Sequence, residues 1–159
     1  MKNALGVPPR HLTDSLPFSS SFELRPASFY TRLMPTPLPE PYLVCASLER
    51  YRLNLAGRDD LAMKVNWASR DIGDGLGFDI LSFDETDDSE RMLEVKATGM
   101  GKFSPFYVTS NEVRCSQDIP QQYQLFRVFD FGRTPRLYIL HGSLRELCQL
   151  DPVLYRAVV

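Results

Sequence analysis

Two short apolar runs, Phe78 to Phe83 and Arg91 to Ala97, flank the stretch Asp84-Glu85-Thr86-Asp87-Asp88-Ser89-Glu90, and that arrangement constrains the chain to a β-hairpin. The intervening residues are too polar to bury, and Asp, Ser and Thr turn a backbone by bonding nearby amides. Side chains alternate faces along a strand, so Glu94 and Lys96 point one way while Val95 points into the core. With the turn centred between Thr86 and Asp87, Asp79 falls directly opposite Glu94, and directly opposed residues share a face. The hairpin therefore predicts two carboxylates and one ammonium gathered on one side of a sheet.

Two carboxylates a few ångströms apart repel, and one pKa rises unless a cation is shared between them. A hard divalent ion such as Mg²⁺ takes oxygen ligands from one or two carboxylates together with substrate phosphate. A lysine beside them holds or polarises the attacking water. Together the three residues suit metal-assisted hydrolysis of a phosphodiester, with the metal as Lewis acid and water activator. The competing reading is that acidic and basic residues on the exposed face of an antiparallel hairpin only solvate it.

The order Asp79, then Glu94-Val95-Lys96, on a hairpin resembles the core signature of the PD-(D/E)XK nuclease superfamily. More narrowly, Trp67-Ala68-Ser69, the run from Gly73 to Asp84, Leu93 to Thr98, Pro105 to Glu112, and Tyr123 to Val128 with Pro135 to Tyr138 are similar to the NO VEIN C-terminal domain family. That likeness runs from about Lys64 to the C-terminus. It implies an α/β fold of restriction-endonuclease-like kind, a mixed sheet with a central β-hairpin flanked by helices. It further implies Asp79 and Glu94 as metal ligands, the Val95 carbonyl as a third, Lys96 as the residue that positions water, and Mg²⁺ or Mn²⁺ as cofactor. Members usually carry a further glutamate on a helix ahead of the first core strand, in a Gly-x-x-Gly-Glu-like context. Gly57-Arg58-Asp59-Asp60 is similar, yet only six residues separate Asp60 from Trp67, too few for the usual helix and the strand after it. Glu49 stands at a more suitable distance without the glycines. Glu49, Asp59 and Asp60 all stay open as the fourth acid.

At 159 residues and 43% hydrophobic content the chain can bury one ordinary core, expected over residues 43–159 behind a leader spanning residues 1–42. Eight of the twelve prolines precede Tyr42, so the leader is expected to be extended or disordered, its aromatic residues offering a dock for a protein partner. The compositional break near Tyr42 also fits an N-terminal stretch that is not native coding sequence. A formal net charge of −2 is unlike that of a dedicated nucleic-acid binder, so contact with DNA, or with RNA, must come from a local patch. Lys102, beside the glycines of Gly99-Met100-Gly101, and Arg127 are the candidate phosphate contacts. For Arg127 the plainer alternative is a stem packed on the sheet with its head in solvent. The three cysteines and two histidines show no metal or disulfide spacing, and isolated thiols suit a reducing cytoplasm. No apolar run is long enough for a bilayer, and no membrane association is expected.

Elsewhere the pattern predicts a helix from Val44 to Ala56 with Leu48, Tyr51 and Leu55 turned inward, and a strand from Lys64 to Ser69. Phe106 to Val108 is expected as a further strand. A helix capped by Thr109 and Glu112 should run to about Gln122, with Glu112 read as a cap in preference to a site residue. Gln124 to Phe131 and Arg136 to Leu140 are expected to pair, with a short helix from Ser143 to Leu150 and an extended end from Val153. The leading functional expectation is a metal-dependent nuclease-like domain acting on DNA. The competing one, from a different class, is a non-catalytic module that keeps the fold and binds nucleic acid or protein.

Overall fold

The computed structural model describes residues 40–154; the leader up to Pro39 and the last residues of the chain lie outside it, as do the expectations placed on them. Helix α1 spans Pro41–Leu55. Pro41 sits in its first turn, where the missing amide is not needed. The helix closes in a Schellman turn, with Gly57 at φ +74°, its amide on the Asn54 carbonyl at 3.0 Å and the Arg58 amide on the Leu53 carbonyl at 2.9 Å. Pro41 and Tyr42, expected in the leader, thus belong to the domain. The inward face agrees with expectation at Leu48 and differs elsewhere: Cys45, Ala46, Glu49 and Leu53 are buried with it, while Tyr51 and Leu55 stand 46% and 65% exposed.

A short helix α2, Asp59–Ala62, follows, and then α3, Ala68–Asp71. The predicted strand from Lys64 to Ser69 is reduced to one bridge, in which Asn66 and Leu81 exchange amide bonds at 3.1 and 2.9 Å before the chain turns into α3. A 3₁₀ turn, Asp74–Leu76, leads through Gly77 to β1, Ile80–Phe83, and β2, Glu90–Ala97. The acidic turn between these strands bonds itself: the Thr86 amide donates to Asp84 at 2.9 Å and the Ser89 amide to Asp87 at 2.9 Å. Helix α4, Ser110–Asp118, then β3, Tyr123–Phe129, β4, Arg136–His141, and α5, Leu144–Leu147, complete the described chain. Phe106 to Val108 pairs with no strand among the described residues; Phe106 and Val108 pack inward and Tyr107 outward, an alternation that only imitates one.

The four strands form one mixed sheet in the order β1-β2-β3-β4, with β2 and β3 parallel and both outer pairs antiparallel. The hairpin is therefore not central: β1 is an edge, and β2 and β3 fill the middle. Every residue of β3 is buried, as expected of an inner strand covered on both faces. On one face Ile80, Leu93, Val95, Phe126 and Val128 pack against Cys45, Ala46 and Leu53 of α1 and Leu61 and Ala62 of α2. On the other, Tyr123 and Leu125 meet Leu144 and the flanking Phe106, Val113 and Cys115. Each large aliphatic or aromatic side chain so buried contributes about 1.5–3 kcal/mol. None of the described helices is long and apolar enough to cross a membrane.

Gly77 fixes where the second layer sits. Its φ is +83°, and a Cβ there would lie 2.7 Å from the Cys115 Cβ and 3.0 Å from the Asn111 carbonyl oxygen, both on α4. Gly77→Ala combines a strained backbone with overpacking against a helix, so it should cost about 2 kcal/mol in denaturant melts. An unchanged melt would show that α4 can move away freely.

Candidate active site

The register pairs Ile80 with Leu93, which sets Asp79 opposite Glu94, and the Asp79 amide continues the ladder to the Leu93 carbonyl at 2.9 Å. Asp79, Glu94 and Lys96 share the sheet face that α4 covers. Asp79 stands just ahead of β1, where its Oδ2 accepts the Val95 amide at 2.8 Å. The N–H and C=O of one strand residue point to the same side, so the Val95 carbonyl also faces this edge. Burial raises the Asp79 pKa, while the Val95 amide, the Ser69 hydroxyl and Lys96 pull it back.

Glu94 is 2% exposed, and its Oε1 lies 2.7 Å from the Lys96 ammonium. Burial first, and then the Asp79 carboxylate, push its pKa up to about 8 despite Lys96. The same ammonium reaches Glu112 Oε2 of α4 at 3.1 Å. Burial would lower the Lys96 pKa, but Glu94 and Glu112 outweigh it and the value rises, so Lys96 is a fixed cation. Two carboxylates hold one ammonium between them.

Glu112 fills both roles that the sequence set against each other. Its Oε2 accepts the Thr109 amide at 2.9 Å while Thr109 Oγ1 accepts the Glu112 amide at 3.2 Å, and that capping box aims the carboxylate at Lys96. One further neighbour, Tyr42, carried no sequence signal of a place at the site. Tyr42 stacks on Trp67 with ring centroids 5.0 Å apart, and the Trp67 indole N–H donates to Ser69 Oγ at 2.9 Å. Ser69 in turn bonds Asp79, its amide donating to the Asp79 carbonyl at 3.1 Å. Burial and then the charge of Asp79 raise the Tyr42 phenol pKa. The Trp67-Ala68-Ser69 motif was visible in the sequence, but nothing in it linked Tyr42 to Asp79.

The three candidates for a fourth acid lie elsewhere. Glu49 is buried on the opposite face of the sheet, accepting from Ser82 Oγ at 2.6 Å and paired with Arg52 at 2.9 Å. Asp59 and Asp60 are exposed on α2, whose Leu61 and Ala62 pack on that same opposite face, and Asp60 pairs with Arg58 at 2.9 Å. Arg127 is no phosphate contact either, because it is wholly buried. Its guanidinium donates to the carbonyls of Lys96 at 2.9 Å and Ser104 at 3.0 Å, with Phe106 against its face at 5.0 Å. Lys102 is exposed, its ammonium 5.5 Å from the Phe103 ring centre and 5.4 Å from that of Tyr138.

Among the described residues no three His, Cys, Asp or Glu side chains form a ready metal cluster. What the site offers a divalent ion is the edge shared by Asp79, Glu94 and the Val95 carbonyl, an all-oxygen donor set of the kind that Mg²⁺ completes with water and phosphate. Burial raises the pKa of both Asp79 and Glu94, and a cation bound between them would favour their charged forms. The donors fit such an ion.

Comparison with known proteins adds a family. "Protein nucleotidyltransferase YdiU" of Herminiimonas arsenicoxydans is 62% identical over 37 residues, 23% of this chain and 7% of that protein. The protein of the same description from Thiobacillus denitrificans is 48% identical over 40 residues, 25% of this chain and 8% of its own length. The matches span less than a tenth of either relative, too little to carry an activity across. No solved structure matches the chain. The family described as "Protein NO VEIN, C-terminal" matches residues 46–140, a span that takes in all of the sheet but His141, together with α4 and all four charged site residues. Over more than half of its length, then, this chain is a member of the NO VEIN C-terminal family.

Proposed function

We propose that the chain is a metal-dependent nuclease-like domain of restriction-endonuclease-like architecture, in the PD-(D/E)XK superfamily, that hydrolyses phosphodiester bonds in DNA. The observation that carries this reading is the convergence of Asp79, Glu94 and Lys96 on one face, with Lys96 2.7 Å from Glu94. Asp79, Glu94 and the Val95 carbonyl would hold Mg²⁺ or Mn²⁺, which when bound supplies Lewis acidity at the phosphate and lowers the pKa of a coordinated water. Lys96 stays protonated, so it is not the base. It donates to the attacking water or to a phosphate oxygen, and Glu112 keeps it in place. Hydrolysis joins the water oxygen to phosphorus and breaks the ester P–O bond; the proton that the water gives up passes to solvent, and the departing sugar oxygen takes one up from solvent. A reducing cytoplasmic setting suits the three free cysteines, of which Cys45 is buried.

The test is cleavage of plasmid and single-stranded DNA with Mg²⁺ or Mn²⁺ by the wild type, Asp79→Ala and Lys96→Ala. Metal-dependent cleavage lost in both variants supports the reading; equal activity in all three rejects it. That no three metal-ligating side chains cluster among the described residues favours a second reading, a non-catalytic module that keeps the fold and binds nucleic acid, RNA included, or a protein partner through its leader. Calorimetric titration with Mg²⁺ separates the two, since binding that disappears in Asp79→Ala belongs to the enzyme and silence from a folded protein belongs to the module.

A further inference from the structure

The connection from Thr98 to Thr109, between β2 and α4, starts just beyond Lys96 and ends just before Glu112, and those two side chains meet at 3.1 Å. Both feet of the loop therefore stand in the site. Its backbone is tied down: the Phe131 amide donates to the Thr98 carbonyl at 3.0 Å and the Asp130 amide to the Met100 carbonyl at 2.9 Å. Arg127 holds it from beneath through the Ser104 carbonyl at 3.0 Å and Ser104 Oγ at 3.1 Å. No carboxylate is among the partners of Arg127, and its Nε has no partner at all among the described residues. A buried guanidinium bonded only to neutral oxygens costs the fold free energy. What that cost secures is the shape of this loop.

The side chains the loop displays are apolar and exposed, Phe103 by 83%, Tyr107 by 78% and Met100 by 65%. Lys102 lies over both the Phe103 and Tyr138 rings, at 5.5 and 5.4 Å. From Thr98 to Thr109 the loop carries no acidic residue, and exposed Arg136 stands two positions from Tyr138 on β4. Exposed aromatic rings beside cations, on a backbone held in place, are the surface on which unpaired bases stack while phosphates are neutralised. A duplex keeps its base faces stacked inside and presents only base edges and phosphates. An apolar protein partner would use the rings but leave the cation without a counter-charge.

We propose that the β2–α4 loop is a docking platform for single-stranded DNA, with bases stacked on Phe103 and Tyr107 and Lys102 on the backbone phosphates. The platform rests on the nuclease reading for its purpose, since it would deliver a strand to Lys96, and Arg127 acts as its positioning residue. The test is fluorescence anisotropy in EDTA with a labelled oligothymidylate of about 15 nucleotides, a duplex of equal length and the matching oligouridylate. The wild type should prefer the single strand to the duplex. Phe103→Ala and Tyr107→Ala should each weaken single-strand binding by about tenfold, and Lys102→Ala should flatten the salt dependence by about 0.7 in log–log slope. All three positions are exposed, and unchanged thermal melts confirm folding. No binding by the wild type, equal binding of the duplex, unchanged binding by both aromatic variants, or a tenfold preference for the ribo-strand would each overturn the platform. Because EDTA prevents metal-dependent chemistry, a failed cleavage assay with these binding results intact rejects the nuclease reading alone.

Discussion

Lys96→Met is expected to slow DNA cleavage by about 10²- to 10³-fold and to lower folding stability by about 2 kcal/mol. Two effects combine. In the reaction, the variant removes the fixed positive charge that faces the water and the phosphate, and removing one preorganised donor of this kind is a large loss in a partly dry site. In the fold, Glu94 and Glu112 lose the ammonium that lies 2.7 and 3.1 Å from them. Breaking a buried pair can cost more, but Glu94, with its pKa already at about 8, escapes by taking a proton. The two effects separate in Lys96→Met with Glu112→Gln, which should recover part of the stability in denaturant melts and none of the cleavage. Wild-type cleavage by Lys96→Met would end the assignment of Lys96 to the chemistry.

The meeting of Asp79, Glu94 and Lys96 was legible because a hairpin register follows from local rules. The acidic turn bonds its own amides through Asp84 and Asp87, and apolar alternation on either side leaves one register in which Ile80 and Leu93 both face the core. The inward face of α1 was legible only in part. Its buried stripe sets Cys45, Ala46 and Glu49 beside Leu48 and Leu53, while Tyr51 and Leu55 face water, so hydrophobicity places Leu48 correctly and misplaces the other two. Small residues are chosen there for close approach to the sheet, and Glu49 is kept by Ser82 and Arg52, partners that no spacing rule reveals.

The third carboxylate was hidden for a different reason. A capping box explains Glu112 completely at the level of local sequence, and only the packing of α4 over β2 shows that the same oxygen also reaches Lys96. Arg127 shows the opposite failure. An arginine in an apolar strand invites a functional reading, yet parallel pairing with β2 buries it under the β2–α4 loop, where its bonds are to carbonyls. Long-range contacts of this kind depend on strand order, which the sequence pattern left open.

Glu94→Gln is expected to raise the melting temperature of the metal-free protein by about 10 °C near pH 9 and to leave it nearly unchanged near pH 4.5. The folded-state pKa of Glu94 is raised, to about 8 from an ordinary value of 4.5. The native state therefore holds a proton that the unfolded chain releases, and stability is full below about pH 4.5 and declines as pH rises through about 8. Asp79, raised in the same direction by burial, adds to the decline. Glutamine keeps the size and cannot ionise, so it removes the Glu94 share. Mg²⁺ should restore the wild type near pH 9, because binding to the native state alone stabilises it, and EDTA should reverse the gain. The glutamine variant should show little of either response. A wild-type melting temperature that stays flat from about pH 5 to 9 in EDTA would contradict the buried carboxylate of raised pKa on which the metal proposal depends.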